Sequence, residues 1–141
     1  MNDSSLARAV ADSAGQLLLR IQADGADGAR GDHEANRLIL DMLRAARPDD
    51  PILSEGSADD SARLASRRVW IVDPLDGTRE FAEGRDDWAV HIALAIDGAP
   101  AVGAVALPRR GITLSSDAPP ALAPAHTPPR MLVSRTRPSA L

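Results

Sequence analysis

Two stretches near the start of the chain repeat their apolar residues at the spacing of an amphipathic helix. The apolar positions of residues 4–22 are Leu6, Val10, Ala14, Leu17, Leu18 and Ile21. Residues 33–47 repeat the pattern. We therefore predict two helices. One of the polar residues 3–5 caps the first helix, Asp32 caps the second, and the Gly- and Asp-rich residues 23–31 form the loop between them.

After residue 50 the apolar residues follow the period of a β-strand. The predicted strands are residues 51–55, 68–73, 88–96, 101–107 and 111–114. The first of them ends in Glu55, and we expect Pro74 to stop the second. Two helices followed by a sheet predict an α+β or a layered α/β architecture.

The remaining residues divide the chain into three predicted parts. Residues 1–114 form an N-terminal α+β domain. Residues 115–130 contain five prolines and no periodicity, which is typical of a linker or surface loop. Residues 131–134 are predicted to start a new strand, so we expect residues 131–141 to begin a truncated second α/β domain. The sequence then corresponds to the front portion of a longer protein.

Composition excludes several classes of function. The chain has no cysteine, and its 16 basic residues are all arginine, which excludes thiol nucleophiles, Schiff-base lysines and the lysine-dependent P-loop. A net charge of −4 and only three aromatic residues argue against nucleic-acid binding. No apolar run approaches the ~18 residues of a membrane helix, and no signal peptide is predicted. We expect a cytoplasmic protein.

Acidic residues concentrate around residues 70–81. The predicted buried strand delivers Asp73, and Asp76 follows on a tight turn. Two close carboxylates repel each other unless a cation lies between them, and Mg²⁺ prefers such oxygen ligands. Gly77 and Thr78 then offer backbone N–H groups that suit an anion. A metal beside an anion site is what phosphate-ester chemistry requires.

A simpler interpretation remains open for the same residues. Asp-Pro and Asp-Gly are common turn dipeptides, so Asp73 and Asp76 also fit a capped turn. Glu55 favours the ligand site, because three acids at one sheet edge are costly unless they bind something. Elsewhere we interpret His91 as a half-buried strand residue. Residues 86–87 are interpreted as a solvated turn and residues 109–110 as solvent-facing arginines.

The segment W-x-x-D-P-x-D-G-T-x-x-F at residues 70–81 resembles the signature of the inositol monophosphatase superfamily, the lithium-sensitive, magnesium-dependent phosphatases. Its Asp-Gly-Thr-Arg-Glu-Phe form is similar to the 3′(2′),5′-bisphosphate nucleotidase branch, and residues 84–94 resemble actinobacterial members of that branch. The resemblance implies the layered α/β/α sugar-phosphatase fold, here an N-terminal half with two helices packed on a mainly antiparallel sheet.

The resemblance also implies roles for individual residues. Mg²⁺ would be bound by Glu55, Asp73, Asp76 and the carbonyl of Leu75. The substrate phosphate would contact Asp76, Gly77, Thr78 and Arg79. Thr78, with Glu55, would orient the attacking water, and Asp32 would hydrogen-bond and position Thr78. The implied reaction is direct attack by water with no phosphoenzyme.

The chain departs from the family pattern in two ways. Gly56 follows Glu55 where the family usually has a second Glu, and the family's second half has no equivalent here. We expect removal of the 3′-phosphate from adenosine 3′,5′-bisphosphate or its 5′-phosphosulfate. The alternatives are an inositol-1-phosphate or fructose-1,6-bisphosphate phosphatase, and a truncated, non-catalytic fragment that binds metal or phosphate. The expected partner is a small phosphate ester, with a homodimer as one option for assembly.

Overall fold

A computed structural model of the chain describes residues 1–25, 27–137 and 140. The helices are α1 (Asp3–Ala23), α2 (Gly28–Ala46) and α3 (Thr78–Ala82). The strands are β1 (Ile52–Ser54), β2 (Arg68–Asp76), β3 (Ala89–Ile96), β4 (Ala99–Leu107) and β5 (Ile112–Ser115). Ala26 in the predicted loop, and residues 138, 139 and 141 in the predicted second domain, lie outside the described residues.

The strands form one sheet in the order β1-β2-β3-β4-β5. Strand β1 is parallel to β2, and every other neighbouring pair is antiparallel. The prediction of a mainly antiparallel sheet is therefore confirmed. The parallel pair matters for function, because the carboxyl ends of β1 and β2 lie at the same edge of the sheet.

The core lies between the two long helices and one face of the sheet. Helix α1 packs on β3 and β4, and α2 packs on β2. The sheet residues that face the helices include Trp70, Val72, Val90, Ile92, Leu94, Ala104 and Ala106. They alternate along their strands, as the pattern of residues 88–96 predicted. Ile71 points to the opposite face and is 43% exposed.

Both long helices begin earlier than their predicted caps. The side chain of Asn2 caps α1 by accepting from the Ser5 amide at 2.8 Å, so the predicted cap at residues 3–5 is wrong. The Asp3 carboxylate instead accepts from Arg47. Helix α2 begins at Gly28 with Asp27 as its cap, which shortens the predicted loop.

Asp32 is therefore an internal residue of α2, and its predicted role as a cap is wrong. The Oδ1 atom of Asp27 accepts from the Arg30 amide at 2.8 Å and stabilises the earlier start. Two glycines in the first turns, Gly28 and Gly31, are buried. Glycine has a poor helix propensity, so the sequence pattern does not predict a helix at these residues. In the structure they are favoured because they pack closely against Thr78 and Phe81.

Pro74 does not end β2, contrary to the prediction. The strand continues to Asp76, and its register with β3 shifts between Asp73 and Asp76. Pro74 lies within this irregularity, where no amide is needed for the ladder. The bulge turns the end of the strand toward α3.

A network of ion pairs and hydrogen bonds connects the start of β2, at the opposite end of the strand from Asp73, to the helices. Arg68 Nη2 contacts Asp50 Oδ2 at 2.9 Å, and Arg68 Nη1 contacts Asp3 Oδ2 at 3.1 Å. Trp70 Nε1 donates to Asp50 Oδ2 at 3.0 Å. These bonds join the start of β2 to the start of α1 and to the loop that follows α2, so they fix how β2 lies against the helices.

The chain after β5 has little regular structure. Ser115 pairs with Ala118 in an isolated bridge, and residues 119–137 contain no helix or strand. The loop predicted at 115–130 therefore begins later than expected, because Ser115 still belongs to β5. Residues 131–134 form no strand with any residue that the structure describes, contrary to the prediction. In the described part of the chain, no helix is both long and apolar enough to cross a membrane.

Candidate active site

The pairing of β1 with β2 places Glu55 beside the end of β2. The Glu55 amide donates to the Val72 carbonyl at 3.2 Å, one residue beyond the last strand pair. Asp73 follows Val72 directly, so two acidic residues from different strands lie at one sheet edge. The sequence predicted that Glu55 and Asp73 each lie at the end of a strand. The parallel pairing of β1 with β2 brings these two ends together.

A glycine makes the sharp turn from β2 into α3. Gly77 has φ 87°, a left-handed conformation that favours glycine. A Cβ there would also lie 3.0 Å from the Asp87 carbonyl oxygen and 3.2 Å from Trp88 Cβ. Gly77 is the N-cap of α3 and Thr78 its first residue, so Asp76, Gly77 and Thr78 lie together directly after the bulge.

Helix α2 approaches this turn closely enough to add Asp32 to it. A Cβ on Gly28 would lie 2.6 Å from the Thr78 carbonyl oxygen, and one on Gly31 would lie 2.9 Å from Phe81. Only hydrogen atoms fit at these two positions. Asp32 follows Gly31 and borders the same space as Thr78.

These residues line one cavity of about 880 Å³. Every residue predicted for the site lines it: Asp32, Glu55, Asp73, Leu75, Asp76, Gly77, Thr78 and Arg79. The sequence did not assign Glu80, Asp87 or residues 134–137 to the site, and these also line the cavity. Asp87 was interpreted as part of a solvated turn, and the turn that follows Gly84 brings it back toward α3.

The electrostatics of the cavity favour a cation. Burial, followed by the negative charges of Glu55 and Asp76, raises the pKa of Asp73 to about 6. Burial and the charge of Glu55 also raise the pKa of Asp32. The carboxylates therefore repel each other across the cavity, which a bound cation would relieve.

A model of the inositol monophosphatase family matches residues 10–118. The chain belongs to the inositol monophosphatase family. The matched residues include both long helices beyond the first turns of α1, the whole sheet and the candidate site.

Two curated relatives in this family carry related names. A Mycobacterium tuberculosis protein named 3′-phosphoadenosine 5′-phosphate phosphatase is 51% identical over 91% of this chain and 54% of its own length. An Escherichia coli protein named 3′(2′),5′-bisphosphate nucleotidase CysQ is 38% identical over 67% of this chain and 39% of its own length. The chain thus spans about half the length, or less, of these relatives.

A solved structure supports the same fold. The extragenic suppressor protein suhB from Bartonella henselae superimposes with a TM-score of 0.73 at 30% identity. The match covers 79% of this chain and 46% of that protein. The layered α/β fold expected from the resemblance is therefore confirmed for this family member, as helices packed on a five-stranded mixed sheet.

His91 contacts a residue of the site, a contact that the sequence did not predict. It lies opposite Asp73 in the β2–β3 ladder, and its Nε2 atom is 3.3 Å from Asp76 Oδ2. The prediction that His91 is a half-buried strand residue is confirmed, since it lies in β3 with intermediate exposure. The alternation of residues 88–96 puts His91 on the outward face with Asp73, but only the register of the two strands reveals the contact.

Two expected arrangements are absent from the described residues. Among residues 1–25, 27–137 and 140, Asp32 makes no hydrogen bond to Thr78, although both line the cavity. Within the same residues, no group of three or more His, Cys, Asp or Glu side chains is assembled to hold a metal ion. The donors are nevertheless carboxylate and carbonyl oxygens. Mg²⁺ uses such donors, and it is usually bound through one or two carboxylates with the rest of its shell from water and phosphate.

Proposed function

We propose that this chain is part of a Mg²⁺-dependent phosphomonoesterase that removes the 3′-phosphate of adenosine 3′,5′-bisphosphate or of its 5′-phosphosulfate. The observation that carries the proposal is the cavity, where Glu55, just after β1, and the acidic residues of β2 lie beside the turn into α3. The names of the relatives, and the 51% identity to one of them, support the choice of substrate. A cytoplasmic location and a homodimer belong to the same proposal.

The metal ligands of this proposal are Glu55, Asp73, Asp76 and the carbonyl of Leu75. The raised pKa of Asp73 supports this assignment. Burial and the neighbouring negative charges disfavour its ionised carboxylate, and a bound cation would stabilise that form. These ligands would hold Mg²⁺, which would supply an activated water and neutralise charge on the phosphate. Asp73 and Asp76 line the same cavity, which supports their assignment to one metal site.

Thr78 and Glu55 orient the attacking water in this proposal. A hydroxyl at the first position of α3 can accept one hydrogen bond and donate another, and it borders the same cavity as Glu55. Asp32 borders the same cavity as Thr78, and its role in this proposal is to position Thr78 once substrate is bound. The amides of Gly77 and Thr78 have no acceptor within α3, since the first amides of a helix are unpaired. They and Arg79 bind the phosphate oxygens.

Phosphate release from adenosine 3′,5′-bisphosphate tests the proposal directly. We expect release by the purified chain that requires Mg²⁺ and falls when Li⁺ is added. Inositol 1-phosphate and fructose 1,6-bisphosphate serve as competing substrates. A higher kcat/KM for either of them would assign the chain to that alternative.

The role of Thr78 makes a separate prediction. Thr78→Ala removes the hydroxyl and keeps the backbone amide, so kcat should fall by about 100-fold while KM changes little. Thr78→Ser should retain much of the activity. Thr127→Ala, in the exposed proline-rich segment, is the matched control. An unchanged kcat in Thr78→Ala would remove this residue from the mechanism.

A non-catalytic chain that binds metal or phosphate is the second candidate, because the relatives are about twice as long as the matched region. In that case Mg²⁺ raises the melting temperature of the chain, and no phosphate is released. A longer polypeptide that adds the remaining half of a relative would then restore turnover. Activity of the 141-residue chain alone would exclude this candidate.

A further inference from the structure

A second, shallower cavity adjoins the candidate active site. It has a volume of about 450 Å³ and is lined by Arg85, Asp86, Asp87, Arg110 and Arg135. We call it the arginine pocket. Asp87 and Arg135 also line the main cavity, so the two spaces are contiguous. The main cavity is dominated by carboxylates, whereas the arginine pocket is dominated by guanidinium groups.

Arg85 extends from a backbone segment that is held in place. Its carbonyl oxygen accepts from Gln22 Nε2 at 3.0 Å and from Trp88 Nε1 at 2.9 Å. Its amide donates to the Glu80 carbonyl at 2.9 Å. Because Gln22 belongs to α1 and Trp88 is buried, the base of the Arg85 side chain is fixed to the core. A fixed base lowers the entropy that the side chain loses on binding.

Arg110 extends from a second tight turn. It ends the 3₁₀ turn Pro108–Arg110, which the Gly111 amide closes by donating to the Pro108 carbonyl at 3.0 Å. Its neighbour Arg109 contacts Asp86 Oδ1 at 2.9 Å. Arg110 itself forms no salt bridge with any residue that the structure describes. Its guanidinium can therefore bind an anion without breaking an existing ion pair.

The charge balance of the arginine pocket is positive. Asp87 contacts both Arg85, at 3.1 Å, and Arg135, at 2.9 Å. Three arginines and two aspartates line the pocket. Asp86 is also paired with Arg109, which lies outside the lining, and Arg135 lies 3.9 Å from Glu80. These carboxylates orient the guanidinium groups at the rim but do not neutralise them. Planar guanidinium donors suit the oxygens of a phosphate.

We propose that the arginine pocket binds the phosphate of the substrate that is not hydrolysed, with Arg85 and Arg110 as its main ligands. This inference rests on the proposed function and adds a second anion site to it. A substrate with two phosphates places one in the acidic, metal-binding cavity. Its other phosphate would be repelled by those carboxylates and attracted by the adjoining arginines. The pocket thus selects bisphosphates over monophosphates.

The test compares two ligands that differ by a single phosphate. Adenosine 3′,5′-bisphosphate and adenosine 3′-monophosphate are titrated calorimetrically into the Thr78→Ala chain with Mg²⁺ at fixed ionic strength. This background slows turnover, so the ligand persists. The same titrations are made with Arg85→Gln, Arg110→Gln and both together. Arg67→Gln is the matched control, since Arg67 is an exposed arginine paired with Asp97 at the far end of β2.

We expect the bisphosphate to bind about 100-fold more tightly than the monophosphate, since each of the two arginine contacts contributes about a factor of ten. Each Arg→Gln variant should lower this ratio by about tenfold toward one, and Arg67→Gln should preserve it. A ratio of one in the Thr78→Ala chain overturns the inference. So does a ratio that the double variant retains, or a failure to bind either ligand. The proposed function is judged separately, by Mg²⁺-dependent phosphate release from the chain with Thr78 intact.

Discussion

The surroundings of Asp73 disfavour its ionised carboxylate and so lower the stability of the folded chain at neutral pH. Its carboxylate lies half-buried at the end of a strand, near Glu55 and Asp76, and these surroundings raise its pKa to about 6. The nearby His91 acts in the opposite direction, lowering the pKa, but does not outweigh burial and the two negative charges. A residue with this environment is a candidate for ligand binding rather than for folding.

The raised pKa of Asp73 predicts a stabilising substitution. The ordinary pKa of the group is 3.8 and its pKa in the folded chain is about 6, so the folded state holds the proton more tightly than the unfolded state. Stability is lost as the pH rises from about 4 to about 6, and the loss is complete above that range. In Mg²⁺-free buffer at pH 7.5, Asp73→Asn should raise the free energy of unfolding by about 1 kcal/mol, after allowing for solvent screening.

Denaturant unfolding at several pH values checks this prediction. The advantage of Asp73→Asn should shrink as the pH falls from 6 to 4, because the wild-type carboxyl becomes protonated there. Asp41→Asn, at an exposed position of α2, should change stability by less than about 0.5 kcal/mol at every pH. An Asp73→Asn chain that is less stable than wild type at pH 7.5 would contradict the electrostatic explanation.

At the scale of elements, the site depends on how closely α2 approaches the start of α3. Gly28 packs against the Thr78 backbone and Gly31 against Phe81. Phe81 in turn packs edge-on against Trp88, with ring centroids 5.1 Å apart. The position of Thr78 is therefore set by a helix that lies about fifty residues earlier in the sequence, and a methyl group at that contact should move it.

Gly28→Ala tests this dependence. The added Cβ would lie 2.6 Å from a backbone oxygen, which cannot rotate away, so we expect a loss of about 1–3 kcal/mol in the free energy of unfolding. Activity at Thr78 should fall as well. Gly103→Ala is the control, since no atom lies within 4 Å of a Cβ on that strand residue. Equal stabilities of the two variants would show that α2 yields at Gly28 without strain.

For the whole molecule, the sheet has one covered and one open face. The helices cover the face of Trp70 and Val72. On the other face, the register aligns Leu53, Ile71, Ala93 and Gly103 across four strands. Ile71 is 43% exposed and Ile112 is 46% exposed. A continuous apolar surface of this kind favours association in water.

Ile71→Thr should reduce self-association of the chain. The substitution keeps a β-branched side chain, which suits a strand, and removes apolar surface at the centre of the open face. Sedimentation velocity or light scattering over a concentration series measures the effect. Leu64→Thr is the control, because Leu64 is 75% exposed on a turn outside the sheet. If both variants associate as wild type does, the open face is not the surface responsible.

The sequence by itself determined most of the elements and most of the residues that line the cavity. Apolar spacing located both long helices and all five strands, since amphipathic periodicity is a local property of the chain. The motif at residues 70–81 predicted acidic residues that line the cavity and the turn that follows them. Helix boundaries were less accurate, because Gly28 and Gly31 disfavour a helix locally and are selected by contacts with Thr78 and Phe81.

Only the tertiary structure decided which residues meet. The parallel pairing of β1 with β2 brought Glu55 beside Asp73, the bulge carried β2 past Pro74, and the β2–β3 register set His91 opposite Asp73. The arginine pocket likewise unites two turns and residue 135. Such contacts depend on strand register and on packing between distant segments. A pattern of neighbouring residues contains neither, because both follow from how the whole core is filled.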